Sequence, residues 1–522
     1  LATVITSSRN YNSIILMEDV LIALHQVLVP EVLIAISIGS IIGIIFGAIP
    51  GLTYSMALAL ILPFTFVMES VLGISLLLSV YIGGMTGGSV SAILIGVPGT
   101  PSSAATVIDG FPLAKKGQAS IALGTAVIVS TIGGLLSLVI MVILVDFISK
   151  FAIKFGPAEI FMLVLFGFST ICGLAEKNLF RSLVAGILGL MLMTIGLDDI
   201  EGIQRFTFGN VNMLQGVNLL VAMIGLFAIP HILEVFHKKM NNEENIAYDV
   251  GIVKTKLPGW DILKKYSGLM LRCTGLGTVI GSIPGSGGPI AAFLAYAHAK
   301  NSEKDPKEKA KYGQGHLGGV IAPETANNAV TGGAMVPLLS LGIPGDPATA
   351  IILGGFLIHG LIPGPMLFIE NAPIIYSVYF AIFISYIAVF VFQVFSIKYL
   401  VKILNIKPEQ LAVGIFVMVV VGAFTLRNSF FDVYVMLIMG LLGYFFNRIQ
   451  LPVTPIVLGM VLGETLESNY RTAMFLSGGS YKIFFSSIVC VLFFSLILLT
   501  IGLQIKKRIQ DVKIQKLRKA NG

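Results

Sequence analysis

Gly43-Ile-Ile-Phe-Gly47-Ala-Ile-Pro50-Gly51, early in the chain, returns later as Gly277-Thr-Val-Ile-Gly281-Ser-Ile-Pro284-Gly285. Each copy is followed by a second break, Val97-Pro98-Gly99-Thr100-Pro101 and Ile343-Pro344-Gly345-Asp346-Pro347. Proline and glycine interrupt an apolar helix and free backbone amides and carbonyls that lipid cannot satisfy. Such backbone survives at membrane depth only where protein buries it or it lines a wet cavity. Broken apolar segments at corresponding places in two halves point to a transporter's binding site.

At an offset of 234 residues, Gly43, Gly47, Pro50, Gly51, Ala57 and Leu60 fall on Gly277, Gly281, Pro284, Gly285, Ala291 and Leu294. At 245–246, Thr86-Gly87-Gly88 meets Thr331-Gly332-Gly333, and Pro98-Gly99-x-Pro101 meets Pro344-Gly345-x-Pro347. The charged insert Asn301–Gln314 accounts for the drift in spacing. Six lysines in 238–265, and five lysines with two arginines against Asp511 after Gln504, put the linker and the C-terminus in the cytoplasm. Lys115-Lys116 has an uncharged counterpart near Gly360–Pro365, and the Lys-rich 301–314 has one near Phe66–Ser70. Basic loops of one half thus face uncharged loops of the other.

The fold expected is all-α and polytopic, with two inverted repeats that each contain a pair of broken, re-entrant Pro-Gly hairpins. A parallel repeat is the alternative. The expected organisation is an N-terminal segment 1–29, of which 1–16 read as an upstream or alternative start rather than a signal peptide. A first repeat 30–237, a cytoplasmic linker 238–265 and a second repeat 266–464 follow. An outer loop and final helix (465–505, the helix from 483) and a basic cytoplasmic tail 506–522 close the chain. Asp198, Asp199 and Glu201 then lie outside, as do Lys150 and Lys154.

Composition agrees. Of 522 residues, 56% are hydrophobic and 12% charged, against about 25% charged in soluble domains; mean hydropathy is +0.92. The net charge of +7 sits mainly in loops and tail, so it reads as cytoplasmic orientation rather than nucleic-acid binding. Cys172, Cys273 and Cys490 have no metal-ligand spacing and imply no disulfide framework. His298, His316 and His359 are scattered, which suits polar boundary residues better than ligands. No P-loop, hydrolase elbow or zincin pattern is present.

The substrate-site candidates are the breaks and the hydroxyls beside them: Pro50, Gly51, Ser89, Ser91, Gly99, Thr100, Ser102, Ser103, Gly285, Ser286, Gly287, Thr331 and Gly345. Half-helix N-termini present unpaired amides and a positive dipole end, which suit a carboxylate without a buried arginine. The competing reading makes these hydroxyls packing groups between helices. Glu324, Thr325, Asn327 and Asn328 form a second cluster, costly in so apolar a stretch unless paired or hydrated. The two asparagines suit a sodium ion and Glu324 a proton; alternatively Glu324 starts a helix after Pro323 and the asparagines sit in a turn. Asp346 either joins the ion-coupling set or caps a helix beginning at Pro347. Asp109, before Gly110-Phe-Pro112, reads as a turn residue.

Several of these stretches resemble the large membrane subunit of the tripartite tricarboxylate transporter family over roughly residues 30–505. They are Gly47–Gly51, Gly83–Leu94 running on to Pro98–Thr106, Gly281–Gly287, Gly318–Asn328, Gly342–Gly345 and Gly360–Pro365. The resemblance implies ion-gradient-driven uptake of a carboxylate, without ATP. Its implied partners are a small four-helix membrane subunit and a periplasmic solute-binding protein, in a bacterial or archaeal cytoplasmic membrane. Within that family Asp346 stands where a small residue is frequent.

The expectation is therefore a secondary carrier, a symporter for a di- or tricarboxylate such as citrate, with no bound cofactor and Na+ or H+ as coupling ion. A homodimer is compatible with this. The alternatives are a carrier without receptor, an anion channel, and an intramembrane enzyme, for which no convergent nucleophile and base stand out.

Overall fold

The computed structural model describes residues 17–174, 179–198, 201–240, 255–403 and 408–502. The basic tail, residues 1–16, Asp199 and most of the linker lie outside these. The protein is all-α and polytopic, with seven helices among the described residues long and apolar enough to cross a membrane. A two-residue antiparallel pairing of Gly196–Leu197 with Gln204–Arg205 is the sheet present among the described residues.

Eight helices of the first half recur in order in the second. In the first half these are α1 (Pro30–Ala48), α2 (Tyr54–Thr65), α3 (Ser70–Leu94), α4 (Ala104–Leu113), α5 (Ala119–Ala152), α6 (Pro157–Leu174), α7 (Leu179–Met193) and α8 (Leu219–Met240). Their counterparts are α9 (Trp260–Gly281), α10 (Gly287–Ser302), α11 (Gly318–Leu341), α12 (Pro347–Ile358), α13 (Ala372–Ile403), α14 (Pro408–Arg427), α15 (Phe430–Arg448) and α16 (Val453–Leu476).

Glycine sets how these helices meet. A Cβ on Gly43 or Gly47 would strike the carbonyl of Val80 or Gly84; on Gly277 or Gly281 it would strike that of Ala326 or Val330. With no side chain between them, α1 lies against α3, and α9 against α11, at backbone contact. Gly87 meets Ile44 and Gly333 meets Thr278 in the same fashion. The spatial match is therefore Gly87 with Gly333, an offset of 246 along the whole helix. This moves the Thr86-Gly87-Gly88 alignment by one residue, because the contact register, not the residue type, defines equivalence.

Because residue numbers rise together across these contacts, α1 runs parallel to α3 and α9 to α11. The return helices run the other way: Tyr54 packs on Gly84 and Thr65 on Gly73. The first break in each half is thus the tip of a helical hairpin. The second break is a step: Ser103 lies by Gly88 and Gly110 by Ile93, so α3 and α4 advance in the same direction. The halves interlock, α3 packing on α13 and α11 on α5.

Two sequence boundaries shift. Residues 465–476, expected in an outer loop, continue α16. Arg471 binds Asp198 and Glu201, and Arg205 binds Glu467, so charged residues extend the helix beyond the apolar layer. The last apolar helix begins at 488, after a short 3₁₀ turn at Tyr481–Phe485, rather than at 483.

Candidate functional site

The second break of one half abuts the hairpin of the other, which creates two matched positions. At position I, Ser102 of the first half lies beside Gly288 and Asn327 of the second: a Cβ on Gly288 would stand 2.6 Å from Asn327 Oδ1 and 2.8 Å from Ser102 Cβ. At position II, Asp346 of the second half lies beside Tyr54 and Tyr81 of the first, with Tyr81 donating to Asp346 Oδ2 at 2.7 Å. Offsets of 234 and 246 equate Gly288 with Tyr54, Asn327 with Tyr81 and Thr100 with Asp346.

At position II Asp346 is a cap. Its Oδ1 accepts the Thr349 amide at 2.8 Å, Thr349 Oγ1 accepts the Asp346 amide at 2.9 Å, and Pro347 occupies the first turn of α12. Such a carboxylate satisfies orphan amides and meets the positive end of the helix dipole. A protein carboxylate, a phenol and a helix N-terminus therefore close this position, and the rings of Tyr54 and Tyr81 (centroids 5.9 Å apart) fill it.

Position I has the same frame and different chemistry. Thr100 replaces the aspartate; its amide donates to Ser103 Oγ at 3.3 Å, and its hydroxyl pairs with Ser102 Oγ at 3.1 Å. The N-terminal ends of α10 and of the Pro101–Ser103 turn leading into α4 converge here. Asn327 Nδ2 donates to the Met85 carbonyl at 3.2 Å, while its fully buried Oδ1 has no hydrogen-bond partner among the described residues. An unmet buried acceptor costs about 1–3 kcal/mol, so it marks a place where a further group belongs.

The other predicted residues divide by environment. Asn328 Oδ1 accepts from Thr86 at 2.9 Å, and its Nδ2 donates to the Glu324 carbonyl at 3.1 Å. Glu324, completely buried, accepts from Thr106 at 2.5 Å and from Ser130 at 3.2 Å, and makes no ion pair among the described residues. Thr331 bonds the Tyr386 hydroxyl and the Asn328 carbonyl. Ser89, Ser91 and Thr325 give their hydroxyl protons to carbonyls of their own helices. Gly285 donates to the Gly345 carbonyl at 2.8 Å, joining the two second-half breaks, with Ser286 and Gly287 (φ 63°) leading into α10. Gly51, at φ 92°, makes no such bond to Gly99 among the described residues; with Pro50 it lines a cavity of about 310 Å³.

Two sequence readings change. α11 runs unbroken through Pro323, so Glu324 does not start a helix and the asparagines do not sit in a turn. Asp109 is buried inside α4, where its Oδ1 accepts the amides of Gly313, Gly315 and His316 at 2.9, 2.7 and 2.9 Å. It anchors the loop before α11 rather than turning its own. Met85, Gly288, Tyr81, Thr106 and Ser130 escaped the sequence reading. They belong to the site through long-range contacts, and their local motifs carry no signal beyond small size or an apolar run.

The tripartite tricarboxylate transporter TctA family model matches residues 33–458. An uncharacterized 52.8 kDa protein in the TAR-I ttuC' 3' region of Agrobacterium vitis is 32% identical over 469 residues, covering 90% of this chain and 92% of the relative. A second uncharacterized protein, in the TAR-II ttuC' 3' region of the same organism, is 35% identical over 208 residues, covering 40% of this chain and 85% of its own length. No solved structure matches the chain. The family is one of transporters rather than enzymes, and its match spans both hairpins, both steps and position I. This chain belongs to the tripartite tricarboxylate transporter TctA family.

Proposed function

We propose that the protein is an ion-coupled carrier that takes an organic carboxylate at position I and moves it by rearranging two inverted halves. The observation that carries this reading is Asp346. At position II the protein's own carboxylate sits on a helix N-terminus. At the matched place in position I stands the neutral Thr100, beside convergent helix N-termini and the unpaired Asn327 oxygen. Position I, which lacks a carboxylate of its own, suits the group that its twin already holds, and the Asn327 oxygen suits the accompanying sodium ion. Glu324, held by two hydroxyls, is the alternative, proton-carrying coupling residue.

Inversion is supported by which loops share an end. The loop before α11 is held by Asp109 and Lys116, at the far end of α4. The matching start of α3, at Gly73, lies against His359, at the far end of α12. The basic loops gather at the first of these ends, which we take as cytoplasmic. A periplasmic receptor and a small membrane subunit are partners consistent with the family, and citrate is the first substrate to try. Uptake of labelled citrate, succinate and other carboxylates into proteoliposomes, with imposed sodium or proton gradients, tests the reading. Saturable, gradient-driven uptake supports it, and linear conductance without coupling refutes it.

A further inference from the structure

The tip of the first hairpin opens into a cavity that position I does not use. It has a volume of about 310 Å³, within the range of small-molecule sites, and runs from Pro50-Gly51 to the C-terminal end of α8. A Cβ on Gly51 would lie 3.7 Å from His231 Cε1, and Lys238 stands two turns beyond His231 on the same helix. The two acids nearby are already engaged, Glu234 by Arg448 at 3.4 Å and Glu409 by Lys239 at 3.8 Å. Lys238 makes no ion pair among the described residues, which leave the cavity a positive charge beside an imidazole and the tip of the hairpin.

The matched end of the second half shows that this is not a general feature of the fold. Gly459 packs on α7 as Gly225 packs on α15, which equates α16 with α8. At the end of α16 the arginines are neutralised, Arg471 by Asp198 and Glu201, and Arg205 by Asp198 and Glu467. The cavity lysine without an ion-pair partner among the described residues thus belongs to the α8 end, the end that leads into the Lys-rich linker.

We propose that this cavity is a second anion site, a vestibule in which Lys238 and His231 hold a carboxylate between position I and the cytoplasm. The proposal rests on the carboxylate reading above. It deepens that reading by giving the solute a basic landing place on one side of the membrane only, which would raise its local concentration at the hairpin tip.

Equilibrium binding of labelled citrate to the purified full-length chain in detergent tests it, with succinate as a second probe. Lys238→Gln should weaken citrate binding about tenfold, the loss of one charge-assisted contact. Lys238→Arg should stay within about twofold, and Lys304→Gln, on the exposed loop, should leave binding unchanged. Monodispersity on gel filtration separates folding from binding. Full citrate affinity in a folded Lys238→Gln protein overturns the vestibule and leaves the carboxylate reading standing. Absence of binding of either probe by the wild-type chain overturns both.

Discussion

At Tyr54 and Tyr81 the first half packs two phenol rings against a carboxylate; at the matched Gly288 and Asn327 the second half presents one absent side chain and one amide. The backbones that carry these residues repeat closely, down to which glycine strikes which carbonyl. Side chains alone separate a position that carries its own carboxylate from one that does not. The repeat supplies two copies of a cradle made from helix ends, and in the reading proposed above substitution inside the cradle decides which copy takes a solute. In the reading proposed above the difference also assigns work: position II, closed by its own acid, is a lock between the halves, and position I, equally buried, is the place of the solute.

The sharpest way to break the comparison is to give position I the acid of position II. Thr100→Asp should place a carboxylate on the helix end where the solute's carboxylate belongs, compete with it internally, and lower uptake at least about a hundredfold. The thermal midpoint should hold or rise, since the new side chain caps as Asp346 does. Uptake near the wild-type rate would show that the two positions are not functional counterparts.

Removing the half-paired amide of Asn327 is the next largest change. Asn327→Ala loses one hydrogen bond to Met85, worth about 1 kcal/mol of stability, together with the oxygen that we assign to the sodium ion. Uptake should fall about tenfold, with a higher sodium requirement, while the midpoint moves by only a few degrees. Tyr81→Phe, its partner at position II, should do the reverse. It leaves a buried Asp346 oxygen short of its 2.7 Å donor, costing about 1–3 kcal/mol of stability, and leaves the half-saturating citrate concentration unchanged. Equal effects of the two substitutions on substrate affinity would erase the distinction between lock and site.

Much of this frame was legible in the sequence, and the reasons are physical. A Pro-Gly break inside an apolar run cannot be neutral in a membrane, so its repetition exposed both halves and both kinds of break. The GxxxG spacing of Gly43/Gly47 and Gly277/Gly281 suits the close helix contact found there. Position I was half legible: Asn327, Thr100 and Ser102 stood out as polar residues among apolar ones. Gly288 and Met85 did not, because one contributes only a close approach and the other a carbonyl and an apolar side chain. Asp109 was misread for the same reason. Its partners are backbone amides some two hundred residues away, which no local pattern near Gly110-Phe-Pro112 displays.

The smallest expected effect concerns the loops that start α3 and α11. The first is short and has no side-chain cap at Glu69. The second hangs from Asp109 and packs His316 against Tyr312 (ring centroids 4.2 Å) within 3.2 Å of Glu308. Burial pushes the His316 imidazole below the usual histidine range, although Glu308, Asp109 and Glu303 pull the other way. The folded loop therefore prefers neutral histidine, whereas the unfolded chain takes up a proton near pH 6.5. Its contribution to stability is complete above that value and is lost as pH falls through the lowered folded-state value. The thermal midpoint should decline on acidification from pH 8 to 5, and His316→Gln should flatten the part of that decline between pH 7 and 5. A decline of the same steepness in the variant would assign the pH sensitivity elsewhere, and the two α-helix starts would then differ in anchoring but not in titration.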